Sequence, residues 1–314
     1  MRKLLACLML SVLSLANFAA EQFIVKDGKA NAQIVVAAEN RPRMATLAAL
    51  DLRYYIEKLT GARLPIVTNP TDEVPVKIYV GKSAGTEKLG VNSADLKDGA
   101  YRIVSGPDWL VLIGDDFDFD PTKYPLTFKG GPNGLERWKE ATKGKTDGVW
   151  EFPWPFRGLS AFWKPSNFKK QIAARYGADA PELWGPNDGF WLHDENGSLN
   201  AVCAYLRSLG VRWYMAGELG EVLPQKMNEL KLGKFNETVK ADYPIRDWTY
   251  YGYSAHSFDD VVWARRIGMN SRFQQLGMFT GPHGLIFVYI NEEMRKKHPE
   301  FFALASDGTR LSTG

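Results

Sequence analysis

Between residues 44 and 61 apolar side chains fall at Ala48, Leu52, Tyr55, Ile56 and Leu59. That spacing winds them onto one face of a helix, and Gly61 is a natural stop because it tolerates a left-handed backbone. Shorter runs surround it. QIVVAA (33–38), ARLPIV (62–67) and VKIYVG (76–81) read as strands, and YRIVSGPDWLVLIG (101–114) as two β runs joined by a Ser-Gly-Pro-Asp turn. Helical spacing returns in GSLNAVCAYLRSLG (197–210), with Leu199, Val202, Cys203, Leu206 and Leu209 on one stripe. Ser198 is placed to cap its start and Gly210 to end it, and VRWY leaves it as a strand. The alternation implies a compact α/β unit.

Two segments break the pattern. From 116 to 195 periodicity fades, and six of the ten tryptophans gather there: Trp138, Trp150, Trp154, Trp163, Trp184 and Trp191. A stretch that long is not an ordinary loop, so it is expected to be an insertion with its own small core. Its tryptophans either pack that core or offer flat platforms to sugar rings. From Pro224 to about Lys240 the chain is polar and reads as a connector. Beyond it, YPIRDWTYYGY (243–253) is a strand candidate, FDDVVWARRIGMN (258–270) a helix and SRFQQLG the next strand. INEEMRKKHPEFFAL (290–304) opens as a helix that Pro299 ends. Strand and helix alternating at this spacing is how a (β/α) barrel begins.

Arg2 and Lys3 precede an apolar run, Leu4 to Ala16, of signal-peptide length. Cleavage after Ala16, Ala19 or Ala20 is equally compatible with the small residues there, and an uncleaved anchor is the alternative. The expectation is a signal peptide at 1–20 and a secreted or periplasmic protein. Loss of Arg2 and Lys3 takes the formal charge from +3 to +1. A near-neutral chain with no long basic run gives no electrostatic case for nucleic acid. Nothing after Ala20 is apolar for long enough to span a membrane. Cys203 is the one cysteine left, so no intrachain disulfide can form, and its place on an apolar stripe reads as a buried thiol rather than a nucleophile.

Metal and cofactor motifs are weak. Asp116, Asp118 and Asp120 alternate like the opening of a calcium loop. But Pro121 stands where that turn needs glycine, and Thr127 where it closes with glutamate. His193, Asp194 and Glu195 lack the helical spacing of zinc ligands. No phosphate loop or dinucleotide fingerprint is present, and no cofactor or metal is expected. Asn196-Gly-Ser and Asn236-Glu-Thr match glycosylation sequons, which arise often by chance.

AALDLRYYIEKLTGARLPIV resembles the helix and strand of the small domain preceding the barrel in α-glucuronidases of glycoside hydrolase family 67. A related domain precedes the barrel in family 20 hexosaminidases. LRSLGVRWYMAGELGEVLP is similar to the end of that domain, there and in uncharacterised bacterial 4838-type domain proteins, and HPEFFALASDGTR resembles the latter most closely. The resemblance spans about 30–115 and 197–310. It implies an α/β fold class: a small α/β N-terminal domain at 21–235, with the insertion at about 116–195. The first units of a truncated (β/α)8 barrel follow at 236–314. It further implies glycoside hydrolysis with an oligo- or polysaccharide partner. The family's carboxylates come from later strands, so no catalytic residue is expected among these residues.

Binding residues are expected where the first barrel units end. Arg246, Asp247 and Trp248 lie on the first strand, where the family uses a tryptophan that Trp248 matches. The family's Asn-His-Trp-Asp is Arg-Asp-Trp-Thr here, which loosens the link to glucuronate. Arg246 can clasp a carboxylate or form a structural ion pair. Asn270 ends the first barrel helix, as ligand or cap, and His283 sits in Gly-Pro-His-Gly, as ligand or plain turn residue. Glu292, Glu293 and Glu300 read as a solvated helix face. Two other roles stay open: a non-catalytic glycan-binding protein, and a domain that only braces the barrel.

Overall fold

The computed structural model describes residues 21–119, 162–163, 167–186, 189–191, 194–243, 246, 258–270 and 292–310. Asp247, Trp248, His193, His283, SRFQQLG and most of YPIRDWTYYGY lie outside them.

The chain opens with β1 (Phe23–Lys26), β2 (Lys29–Ala30) and β3 (Ala32–Val35), then α1 (Arg43–Thr60). Next come β4 (Ile66–Val67), β5 (Val76–Val80), α2 (Ala84–Lys88), β6 (Tyr101–Ser105) and β7 (Trp109–Gly114). β8 (Phe162–Trp163), α3 (Phe168–Tyr176), α4 (Ala180–Trp184) and β9 (Phe190–Trp191) precede α5 (Gly197–Ser208). The chain continues through β10 (Arg212–Trp213), β11 (Glu221–Val222), β12 (Leu230–Lys231) and β13 (Asn236–Val239). The last helices are α6 (Phe258–Arg266) and α7 (Glu292–Lys297), with a 3-10 turn at Pro299–Phe301.

The main sheet is mixed, in the order β13-β6-β7-β5-β3-β4. Its β4, β3, β5 and β7 run parallel, with Ile34 opposite both Ile66 and Ile78, and Ile78 opposite Leu110. β6 turns back antiparallel on β7, as the Ser-Gly-Pro-Asp turn requires. Buried on both faces, β7 has an almost unbroken apolar run, whereas β5 alternates. α1 and α5 lie side by side over this sheet. Gly61 takes φ 78° and its N–H bonds the Glu57 carbonyl, closing α1 where the sequence places the stop.

Three expectations change. Residues 225–240 are not a plain connector. Leu230 and Lys231 pair with β1, and Asn236–Val239 with β6, so this polar stretch supplies edge strands, whose outer faces need no apolar side chains. The described part of the insertion has no core of its own: Phe168, Ile172, Tyr176, Trp184 and Phe190 join the main core beside α1. Trp184 is thus a packing tryptophan; Trp138, Trp150 and Trp154 lie outside the described residues. Finally, Ser198 does not cap α5. Its hydroxyl accepts the Gly114 N–H at 2.9 Å, and its own N–H is taken by Asp116 at 2.8 Å. Gly114 meets Gly197 at this point, so closely that a Cβ on Gly114 would overlap the Gly197 backbone.

Candidate functional site

Where α1, α3, α6 and the β10–β11 hairpin converge, charged side chains are buried together. Asp51, fully buried on α1, accepts a fork from Arg266 on α6: Nη2 to Oδ1 at 2.7 Å and Nε to Oδ2 at 2.8 Å. The Tyr176 hydroxyl, from α3, adds a bond at 2.8 Å. Glu221 on β11 accepts from Tyr55 (2.6 Å), Lys58 (3.0 Å), Arg175 (2.6 Å) and Arg266 (3.3 Å). Tyr55 in turn accepts the Trp213 indole N–H at 2.7 Å, and the Arg266 guanidinium stacks 5.1 Å from the Tyr55 ring centroid.

Acids and bases match in this seam, and the electrostatics follow. Burial opposes the charge on Arg266, but Asp51, Tyr176 and Tyr55 outweigh it and hold the pKa well above its usual value. Burial likewise opposes ionised Glu221, yet the bonds from Tyr55 and Lys58 and the fields of Arg266 and Arg175 lower its pKa. Desolvation first, then Asp51, pushes the Tyr176 hydroxyl up, so it stays a donor. Cys203 is pushed up to about 12, chiefly by burial and then by Asp51, which makes it an inert core thiol.

A second polar corner forms at the start of α5. Arg43 forks onto buried Asp194, with bonds of 2.8 and 2.7 Å. The Arg43 N–H donates to Asp118, and the Phe119 N–H to Asp194. Glu195 N–H reaches the Phe117 carbonyl at 3.0 Å. Residues 115–119 and 194–196, the two ends of the aromatic stretch, are thereby laced together. Acids outnumber cations here. Burial lifts the Asp116 carboxyl to about 7; the bonds from Ser198 oppose this, and Glu195 and Asp115 add to it. Burial and Asp194 also raise Asp118, against the pull of Arg43. Asp116 and Asp118 turn to different partners, and among the described residues no group of three or more His, Cys, Asp and Glu could hold a metal ion.

Of the residues expected to bind ligand, the structure brings two together. Arg246 and Asn270 form a reciprocal pair: the Arg246 N–H donates to Asn270 Oδ1 at 2.8 Å, and the Asn270 N–H to the Arg246 carbonyl at 2.7 Å. The Arg246 side chain donates to the carbonyls of Gly268 (2.8 Å) and Tyr243 (2.7 Å). Its guanidinium also crowds Gly99, whose φ of +77° and missing Cβ make the approach possible. Asn200 ties α5 to the same place by donating to the Gly99 carbonyl at 2.8 Å. Bonds to backbone carbonyls, of Gly268 and Tyr243, thus hold the Arg246 side chain at this junction. Glu292 and Glu293 lie exposed on α7, each paired with the lysine four residues on, and Glu300 is exposed beside His298.

The seam was invisible to periodicity because Asp51 and Arg266 are 215 residues apart. One signal was present: Asp51 falls within the apolar stripe, four residues from both Leu47 and Tyr55. An acid at such a position calls for a buried cation. The seam is closed by packing and the corner is spent on bonds between segments, so both suit holding segments together better than reacting with a ligand.

The described architecture is thus a mixed α/β sheet with helices, locked by buried charge to a further helical segment. No family model and no curated protein matches the chain. Among solved structures, it is similar to BtGH115A, a family GH115 4-O-methyl-α-glucuronidase with specificity for decorated arabinogalactans. The identity is 14% and the TM-score 0.41, over 80% of this chain and 25% of that one. The chain therefore spans about a quarter of that protein's length. No helix among the described residues is long and apolar enough to cross a membrane.

Proposed function

We propose that these residues belong to an exported carbohydrate-active protein, a glycoside hydrolase resembling the α-glucuronidases, in which the α/β domain braces a (β/α)8 barrel. The observation that carries the bracing is the seam. α6, which the sequence reading makes the first barrel helix, is fastened to α1 through the buried Arg266–Asp51 fork. The Arg246–Asn270 pair fits the same reading, since it joins the start of that βα unit to its end. The hydrolytic part rests on the resemblance carried by GVRWY with its Gly-Glu-Leu-Gly-Glu sequel and by HPEFFAL. In this reading the paired carboxylates stand on strands beyond residue 314, and residues 1–20 direct export.

The test is to read the gene past codon 314 and assay the product of the whole frame on uronic-acid-bearing polysaccharides. The proposal expects at least roughly 200 further residues, enough for the remaining barrel units. It also expects two acids after apolar strand runs, whose replacement by amides abolishes release of sugar. A frame without such acids, or activity indifferent to them, would sink the hydrolase reading and favour glycan binding.

A further inference from the structure

Residues 292–310 fold into a small cup. α7 forms one wall and the 3-10 turn at Pro299–Phe301 the floor. A tight hairpin, closed by Ala305 N–H on the Thr309 carbonyl at 2.8 Å, forms the other wall. The cleft between them, about 240 Å³, is lined by Glu292, Arg295, Lys296, Pro299, Phe302 and Arg310. Three cations thus face one acid, and that acid is already engaged with Lys296 at 3.4 Å. Arg310 is held in place by its bond to the Phe302 carbonyl at 2.7 Å. Arg295 differs from every other described arginine: it has no hydrogen bond or ion pair, and its Nε is buried without a partner. A desolvated guanidinium nitrogen beside a cleft is a vacancy for an acceptor.

We propose that this cup binds a small carboxylate, clasped by Arg295 and steadied by Lys296 and Arg310, with Pro299 and Phe302 against its apolar side. A planar carboxylate matches the guanidinium fork, while Glu292 on the rim disfavours a doubly charged phosphate. The site is distinct from Arg246 and Asn270. Its chemistry does not depend on hydrolysis, so its failure would leave the proposed function standing.

The experiment is a calorimetric titration of the chain with sodium glucuronate, sodium acetate, glucose and inorganic phosphate. Glucuronate is expected to bind in the millimolar range and glucose not at all. Acetate binding as well as glucuronate would keep the carboxylate site and remove the sugar ring from it; weaker acetate would assign the ring a share. Arg295→Gln, which breaks no bond in the fold, should weaken binding about tenfold, the worth of one charged hydrogen bond. Glu292→Gln, which frees Lys296, should tighten it. Binding of phosphate but not of either carboxylate, equal binding of glucose and glucuronate, or indifference to Arg295→Gln would each overturn the proposal.

Discussion

The two buried charged regions look alike but are built on opposite balances. In the seam, Asp51 and Glu221 are met by Arg266, Arg175 and Lys58, and every acid has at least two donors. In the corner at α5, Asp118 and Asp194 share Arg43, while Asp116 faces Glu195 and Asp115 with bonds from Ser198. The seam therefore holds Glu221 toward its ionised form, while burial in the corner draws Asp116 toward its neutral form. Matched charge makes a lock that acid opens, and unmatched charge makes one that base opens. The seam also closes over the greater sequence separation, joining α6 to α1, whereas the corner ties the ends of the aromatic stretch to the start of α1.

Breaking the match in the seam should have the largest effect. Arg266→Met leaves the Asp51 carboxylate buried and unpaired, which costs about 3–5 kcal/mol. Urea unfolding should show it as a fall in midpoint, largely restored by adding Asp51→Leu. Next comes the corner. The folded pKa of Asp116, about 7, exceeds its ordinary 3.8. Folding thus retains a proton that the unfolded chain releases, and stability falls as pH rises from about 4 to 7. One unit is worth about 1.4 kcal/mol, so the loss is of order 2–4 kcal/mol. Asp116→Asn should flatten that slope in melts between pH 5 and 8. Glu221 has the opposite sign: its pKa is lowered, so its contribution is present above its ordinary 4.5 and is lost as pH falls through the folded value.

Smaller effects sharpen the contrast. Tyr55→Phe removes the hydroxyl shared by Glu221 and the Trp213 indole, and should cost about 1–3 kcal/mol through the donor left unsatisfied. Glu87→Gln, at an exposed position of α2, removes a solvated pair with Lys82, and the melt should move by less than about 0.5 kcal/mol.

The legible parts of this molecule are those where one physical rule acts locally. The α1 stripe, its Gly61 stop, the 101–114 hairpin and the α5 stripe all follow from apolar spacing and turn chemistry. What stayed hidden depends on distant partners. The edge strand at 236–239 is polar because its face is bare, and the one at 230–231 is too short, with Leu230 alone turned to the core, for alternation to announce it. α3 and α4 lie in a segment whose aromatic content masks periodicity, and their buried faces meet each other, through Phe168 and Trp184, as well as joining the core of α1. Ser198 occupies the right place for a helix cap, but Asp116, 82 residues earlier, supplies that bond. The Arg246–Asn270 pair was read as two separate candidates because nothing local reveals that they meet.

The central claim is that α6 is fastened to the α/β domain by the Asp51–Arg266 fork. A double-mutant cycle with Asp51→Asn and Arg266→Gln, read by urea unfolding at neutral pH, tests it directly. The account predicts a coupling energy of at least about 2 kcal/mol, as expected for groups in one buried network. A coupling below about 0.5 kcal/mol, the value typical of independent sites, would contradict it.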